Sequence, residues 1–333
     1  MKFHKSSVVA FVVLFSLVAS GWAGTTRTQV INLHKGWNAV FLQVAPDNGD
    51  PSVVFANTPV SVVATYLAAN TPVEFVQNPG TTPWKKEVWG VWYAADRPDA
   101  FLSNLAVLDG NRAYLIYAQQ DYTLNLQGDV SFEPPRWKSD SFNFTGFSLD
   151  DQSPPTFDKF FAGSTAHRPC KIYRLVDDQW TLVIDPVVST MKSGEAYWIY
   201  CKGGSDYQGP LLTKVVSGQG VTFAGSGESH LVFVNQSGDP LAVRVESVSA
   251  DLPLSYMMRG VSDSKIENIA FDLPANYQLP VMEVGETSAL WLKLKRSQMT
   301  SSSQSGLLKI STDNGAQVWV PVTGTRSDLS ATP

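Results

Sequence analysis

A stretch a third of the way along the chain, "GNRAYLIYAQQ" (110–120), returns as "GEAYWIYCKGG" (194–204), each carrying Ala-Tyr-x-Ile-Tyr shortly after a glycine. Upstream, "GWNAVFLQVAPDNGDPSVVFAN" (36–57) lies over "SFNFTGFSLDDQSPPTFDKFFA" (141–162) without a gap, so that Trp37 meets Phe142, Asn38 meets Asn143 and Phe55 meets Phe160. "VVATYL" (62–67) then meets "CKIYRL" (170–175) after a three-residue insertion. Matches that keep one order along the chain indicate an internal duplication. Each unit reads strand, short helix, strand, excursion, strand. The excursion runs from Leu67 to Tyr114 in the first unit and only from Leu175 to Tyr197 in the second.

Strand signals dominate elsewhere too. Short runs of Val, Ile, Phe, Tyr and Trp are punctuated by Pro, Gly and Asn-Gly or Asp-Gly turns. Only "PSVVFANTP" (51–59) and "PTFDKFFAGS" (155–164) read as short helices, each opening with Pro beside Ser or Thr. From about residue 215 come seven strand-like runs: "VTFAG", "HLVFVNQ", "LAVRVES", "LSYMM", "ALWLKLKR", "LLKIST" and "QVWVPV". Leu290, Leu292 and Leu294 alternate with Trp291 and Lys293, as on a half-buried strand. "TDNGA" (312–316) is a hairpin signal. The expected architecture is mainly β: two tandem related β-rich modules, each with a short helix, at 24–137 and 138–214. An immunoglobulin-like β-sandwich at 215–326 follows, then a disordered tail at 327–333.

Residues 1–23 read as a secretory signal peptide: Lys2 and Lys5, an apolar run from Val8 to Val18, and small residues at Gly21 and Ala23. That run is short for a membrane span, so the expectation is export to the periplasm or the extracellular space, without stable membrane insertion after cleavage. Cleavage removes two lysines and no acid, moving the formal charge from −5 to −7. Such a balance argues against nucleic acid or an anionic membrane as partner. Export also makes a disulfide possible between the two cysteines, Cys170 and Cys201. The duplication places them on strands of one module, at the positions of Val62 and Ala118. The bridge would close a loop of roughly 30 residues and stabilise by about 3–4 kcal/mol.

Chemistry is harder to find. His34, His167 and His230 stand far from one another, and His167 with Cys170 three residues on completes no zinc-ligand motif, so no metal or cofactor is expected. No nucleophile elbow or phosphate loop is present; "GSGES" (225–229) reads as a turn. The acidic pairs Asp150–Asp151 and Asp177–Asp178, and Glu87, Asp96 and Asp99 in the excursion, raise a glycosidase reading. Asp47, Asn48 and Asp50 resemble part of a calcium loop but suit turns and caps equally well. The strongest binding signal is aromatic: Trp84, Trp89, Trp92 and Tyr93 crowd into the first unit's longer excursion. If "EVWGVWY" is a strand, Trp89 and Tyr93 share one face and Trp92 takes the other. Exposed, such rings would stack on sugars or anchor a protein, with Lys85, Lys86, Glu87 and Arg97 alongside; buried, they would cap the module's core.

"GWNAVFLQV" (Gly36–Val44), "SFNFTGF" (Ser141–Phe147) and "GEAYWIYCKG" with "YQGPL" (Gly194–Leu211) resemble an uncharacterised group of exported bacterial proteins. In that group two such modules precede an Ig-like domain, and the likeness covers nearly all of 28–325. It implies export and modular architecture, and it assigns no functional residue. The expected role is therefore non-catalytic binding or assembly at the cell envelope or outside it, with an envelope protein or polysaccharide as ligand. The alternatives are a secreted glycan-active hydrolase and a structural component of a surface layer or appendage.

Overall fold

The computed structural model describes residues 25–67, 88–216, 218–223, 225–248, 252–262 and 265–326. The expected signal segment, Trp84 with Lys85, Lys86 and Glu87, and the expected tail beyond Arg326 lie outside the described residues. The chain opens with β1 (Thr26–Leu33), β2 (Gly36–Leu42), β3 (Ala45–Pro46), α1 (Pro51–Val54), β4 (Val60–Tyr66), β5 (Trp89–Tyr93), β6 (Arg112–Ala118) and β7 (Tyr122–Asp129). Then come β8 (Ser141–Gly146), α2 (Phe157–Phe160), β9 (Ile172–Val176), β10 (Gln179–Leu182) and β11 (Ala196–Cys201). The remainder is strand: β12 (Leu211–Val215), β13 (Val221–Phe223), β14 (Glu228–Asn235), β15 (Val243–Ser247), β16 (Leu254–Ser262), β17 (Lys265–Asp272), β18 (Asn276–Gln278), β19 (Thr287–Leu294), β20 (Ser303–Thr312) and β21 (Gln317–Thr325). The protein is mainly β, in small sheets of three to five strands. All pairings between named strands are antiparallel except β13 with β21.

The two four-stranded sheets have one order, β2-β6-β4-β5 and β8-β11-β9-β10. Their registers agree: Gly36 faces Ala118 as Ser141 faces Cys201. The repeated residues perform repeated tasks. Asn38 accepts from the His34 amide at 3.0 Å and donates to the His34 carbonyl at 2.8 Å. Asn143 treats Lys138 in the same way, at 2.7 and 3.1 Å. Each asparagine thus fixes the chain entering its edge strand by satisfying backbone groups that the ladder leaves unpaired. The Tyr114 hydroxyl accepts from the Asp109 amide at 2.8 Å, and the Tyr197 hydroxyl from the Lys192 amide at 2.8 Å. Left-handed backbone precedes each tyrosine, at Asn111 (φ 52) and Gly194 (φ 71), residue types that tolerate it. In one place the register departs from the sequence match. Val63 pairs with Ile116 and Ile172 with Ile199, so Val63, not Ala64, corresponds to Ile172. A bulge between Val60 and Val62 adds a residue to β4 that the sequence comparison does not register.

These two sheets face each other. Trp37, Val62, Ala64, Trp89, Val91 and Leu115 of the first close on Trp180 and Trp198 of the second, with Phe142, Phe144 and Tyr173 at the margin. Trp198, wholly buried, stacks on Phe144 at 4.9 Å and meets Tyr66, Trp180 and Trp89 edge-on at 5.5, 6.3 and 6.4 Å. Offset and edge-to-face rings add to the area term because the positive edge of one meets the negative face of the next. The interface is reciprocal: β11 contacts β2, and β6 contacts β8. A polar tie joins the same partners. Asp177 and Asp178 (φ 48 and 61) form the two-residue turn of the β9–β10 hairpin, and the Asp178 carboxylate accepts from the Trp37 amide at 2.6 Å.

The two five-stranded sheets share one apolar core, with Leu290, Leu292 and Leu294 inside and Trp291 46% exposed, the alternation expected of β19. The Asn314-Gly315 turn joins β20 to β21 as the sequence suggested, with Gly315 at φ 86. Sequence reading missed β17 and β18; "KIENIAFD" mixes charges with apolar residues, as an edge strand does. The expected junction at 214/215 falls inside β12, which pairs with β14. This region also grips the earlier sheets. Leu307 enters the first unit's core, the Asp150 amide donates to Gly315 O at 2.9 Å, and the Arg27 guanidinium lies 4.6 Å from the Trp319 ring centroid.

Truncating Trp198 to Ala should lower unfolding free energy by about 3–5 kcal/mol in urea titration. Ile184→Ala, at a site 88% exposed, should leave it unchanged within error. Equal effects would mean that the ring cluster does not hold the sheets together.

Candidate functional site

The aromatic candidates divide along β5 as a strand requires. Trp89, 2% exposed, points into the cluster between the sheets, as does half-buried Tyr93. Trp92, 7% exposed, points into the core on the other side, where its indole N–H donates to the Ser52 hydroxyl at 3.0 Å. The expected stacking platform is therefore revised: both described tryptophans are spent inside, since ladder alternation leaves no face of β5 open. Trp89 corresponds to Trp180, each standing opposite the equivalent residue of its neighbour, Tyr66 or Leu175. Unequal excursion lengths hid that match in the sequence. Tyr93 remains at the rim of a shallow groove of about 530 Å³ with Asn57, Pro59 and Asp96. Arg97 lies 5.4 Å from the Tyr93 ring centroid and holds Asp99 through two 2.8 Å bonds.

The expected disulfide is absent: Cys170 and Cys201 are free thiols. Each thiol is engaged elsewhere. Cys170 lies outside β9, at the place of the bulge residue Ser61, and packs against the Phe157–Phe161 cluster. Cys201 ends β11, and its thiol donates to Gly203 O at 3.3 Å. Burial raises the pKa of both thiols, the condition of unreactive cysteines.

Two of the acidic candidates serve the backbone. Asp150 accepts from Gln152, and Asp178 from Trp37. Asp50 caps α1 through the Ser52 amide at 2.8 Å, and Asn48 accepts from the Asp50 amide at 2.9 Å, so the calcium-like loop is a turn and a cap. Among the described residues no group of three or more His, Cys, Asp or Glu is placed to hold a metal ion. Nor is any described helix long and apolar enough to cross a membrane.

Where the two sheets meet, two related grooves open on the surface. One, of about 510 Å³, is bordered by Gln29–Asn32 and His34, by Asn38–Val40 and by Lys192–Glu195, with Leu175. The other, of about 230 Å³, is bordered by Glu133–Arg136 and Lys138, by Asn143–Thr145 and by Asn111–Ala113, with Tyr66. Each segment of the first groove has its equivalent in the second. Glu195 in the first is held by Arg174 at 2.6 and 3.2 Å and by the Tyr197 hydroxyl at 2.9 Å. Asp151 shares that groove, its carboxyl pKa raised by burial and then by Asp150. No sequence signal marked the grooves, because each is built half from one unit and half from the other.

A further buried titratable group is a histidine. His167, 2% exposed, has its ring centroid 4.1 Å from that of Trp137, with Nδ1 2.6 Å from the Ser164 hydroxyl and Nε2 without a hydrogen-bond partner among the described residues. Burial lowers its pKa from 6.5 to about 4. The unfolded chain thus takes up a proton that the folded one refuses. Stability present above about pH 6.5 should fall between pH 6.5 and 4, by up to about 3 kcal/mol. His167→Phe should flatten that segment of a stability–pH profile measured by chemical denaturation; an unchanged slope would place the titration elsewhere. Thiol titration of the unfolded, unreduced protein should find two free cysteines, and reductant should leave the melting temperature unchanged.

No protein-family model matches the chain, and no curated protein does. Among solved structures, the ASH/PapD-like domain of human CEP192 (PapD-like domain 7) is similar at 12% identity and TM-score 0.23, covering 35% of this chain and 84% of that one. The YadV chaperone is similar at 9% identity and TM-score 0.25, covering 37% and 55%. Likenesses of this size carry no argument about function.

Proposed function

We propose that the chain is a non-catalytic binding or assembly protein of the cell envelope or extracellular space, exported by its first 23 residues. Its ligand is an envelope protein or a polysaccharide. In this reading residues 24–137 and 138–214 are tandem related modules, with β12 passing to an Ig-like sandwich that runs to about 326, as in the exported bacterial group that the motifs resemble. The observation that carries the reading is the use of the interface between the four-stranded sheets. Its rings and turn carboxylates are consumed in joining the units, and what it leaves outside is a pair of open grooves. The hydrolase alternative has one foothold, Asp151 and Glu195 in a single groove. There Arg174 and the Tyr197 hydroxyl engage the Glu195 oxygens, so this carboxylate supports the fold rather than attacking a substrate.

A structural role in a surface layer has its own support. Among the described residues β17 is an edge of a five-stranded sheet, and Phe271 on it and Met258 on the neighbouring β16 are 45% and 52% exposed. The two readings separate in one experiment. Mature protein from Gly24 onward is immobilised and exposed to envelope extract and spent medium of the producing organism, while the same protein is sedimented over a range of concentrations. Retention of a protein or polysaccharide that free mature chain competes away is the expected result. Concentration-dependent self-association with nothing retained would replace binding by self-assembly.

A further inference from the structure

We propose that the smaller of the two grooves is a binding site for a carboxylate-bearing sugar, a uronic acid unit of an acidic polysaccharide. This rests on the binding reading above and names a ligand class for it. The argument comes from comparing the grooves with each other. The Asn38 and Asn143 clamps fix the correspondence: His34 answers Lys138, and two residues earlier Asn32 answers Arg136. Across the groove, the residue after the left-handed position is Glu195 in one and Arg112 in the other.

Asn32, His34 and Glu195 of the larger groove, which has Lys192 as its own lysine, thus stand where the smaller has Arg136, Lys138 and Arg112. The fold does not require those cations, since the other unit builds the same groove without them. They also oppose the character of the molecule, whose formal charge is −5. Within the smaller groove Glu133 is the one acidic lining residue, and Asp109 pairs with Arg112 from outside the lining at 3.3 Å. Exposed Arg136 has no ion pair among the described residues.

Guanidinium groups match the planar carboxylate with two parallel N–H donors. The wall opposite is partly aromatic, with half-buried Tyr66, Phe142 and Phe144, and the apolar C–H face of a pyranose packs on such rings. A volume of about 230 Å³ is below that of a site for a drug-sized ligand and suits a ring or two of a longer chain lying across the opening. Pro134 and Pro135 stiffen the bank that carries Arg136.

The test is calorimetric titration of full mature protein with oligogalacturonate, polyglutamate of matched charge, and a neutral glucan oligomer. Oligogalacturonate should bind and the glucan should not. Affinity should fall several-fold as ionic strength rises from about 0.05 to about 0.3 M. Arg136→Ala and Lys138→Gln should each weaken binding by about tenfold, with melting temperatures unchanged, while Lys192→Ala in the other groove should have no effect. Polyglutamate binding at equal strength would assign the groove to acidic polypeptide and overturn the sugar assignment. Equal binding of the neutral glucan would remove the role of charge and overturn it as well. No binding of oligogalacturonate would also overturn it, yet a partner retained in the capture experiment would leave the binding reading standing.

Discussion

Burial of Trp198 between two four-stranded sheets is the contact on which the first two-thirds of the molecule depend. A four-stranded sheet with one short helix has too little core to stand alone. Each unit covers one face with its own helix, loops or added strands, leaving the other apolar. Closing those second faces on each other removes several large rings from water at once, and each contributes an area that dominates local energetics. The polar link from Asp178 to the Trp37 amide sets the position in which the rings close. The C-terminal sheets then lean on an assembled pair, through Leu307 and through Trp319 against Arg27.

Much of this was legible in the sequence where a residue's job is local. The Ala-Tyr-x-Ile-Tyr repeat persists because each tyrosine hydroxyl returns to a backbone amide five residues earlier, at Asp109 or Lys192. The Asn38 and Asn143 match persists for a similar reason. Leucine alternation in β19 and the Asn-Gly turn at 314–315 follow from strand periodicity and from the residue types that left-handed turns accept.

What failed was whatever depended on register or on a partner distant in the chain. The bulge at β4 shifted the match by one residue, so that Cys170 lies just before β9, packed against the Phe157–Phe161 cluster, and both thiols stay free. Trp89 and Trp92 looked like a surface feature because an excursion is where binding residues gather. Their burial follows from β5 being the fourth strand of a sheet covered on both faces. The grooves were invisible for the same reason, since each sets a segment of one unit against a segment of the other, Asn38–Val40 against Lys192–Glu195 and Asn143–Thr145 against Asn111–Ala113.

The reciprocal contact of β2 with β11 and of β8 with β6 has a consequence beyond packing. It is the geometry of a dimer between two copies, here carried by one polypeptide and joined by the short connection from Asp129 to Ser141. A dimer held by this interface would come apart on dilution, and its two grooves would be forced by symmetry to be alike. Covalent linkage lifts both constraints. The effective concentration of one half for the other is set by the connection and not by the surroundings. A substitution in one half is no longer copied into the other, so one groove is free to keep its acid while its twin becomes basic.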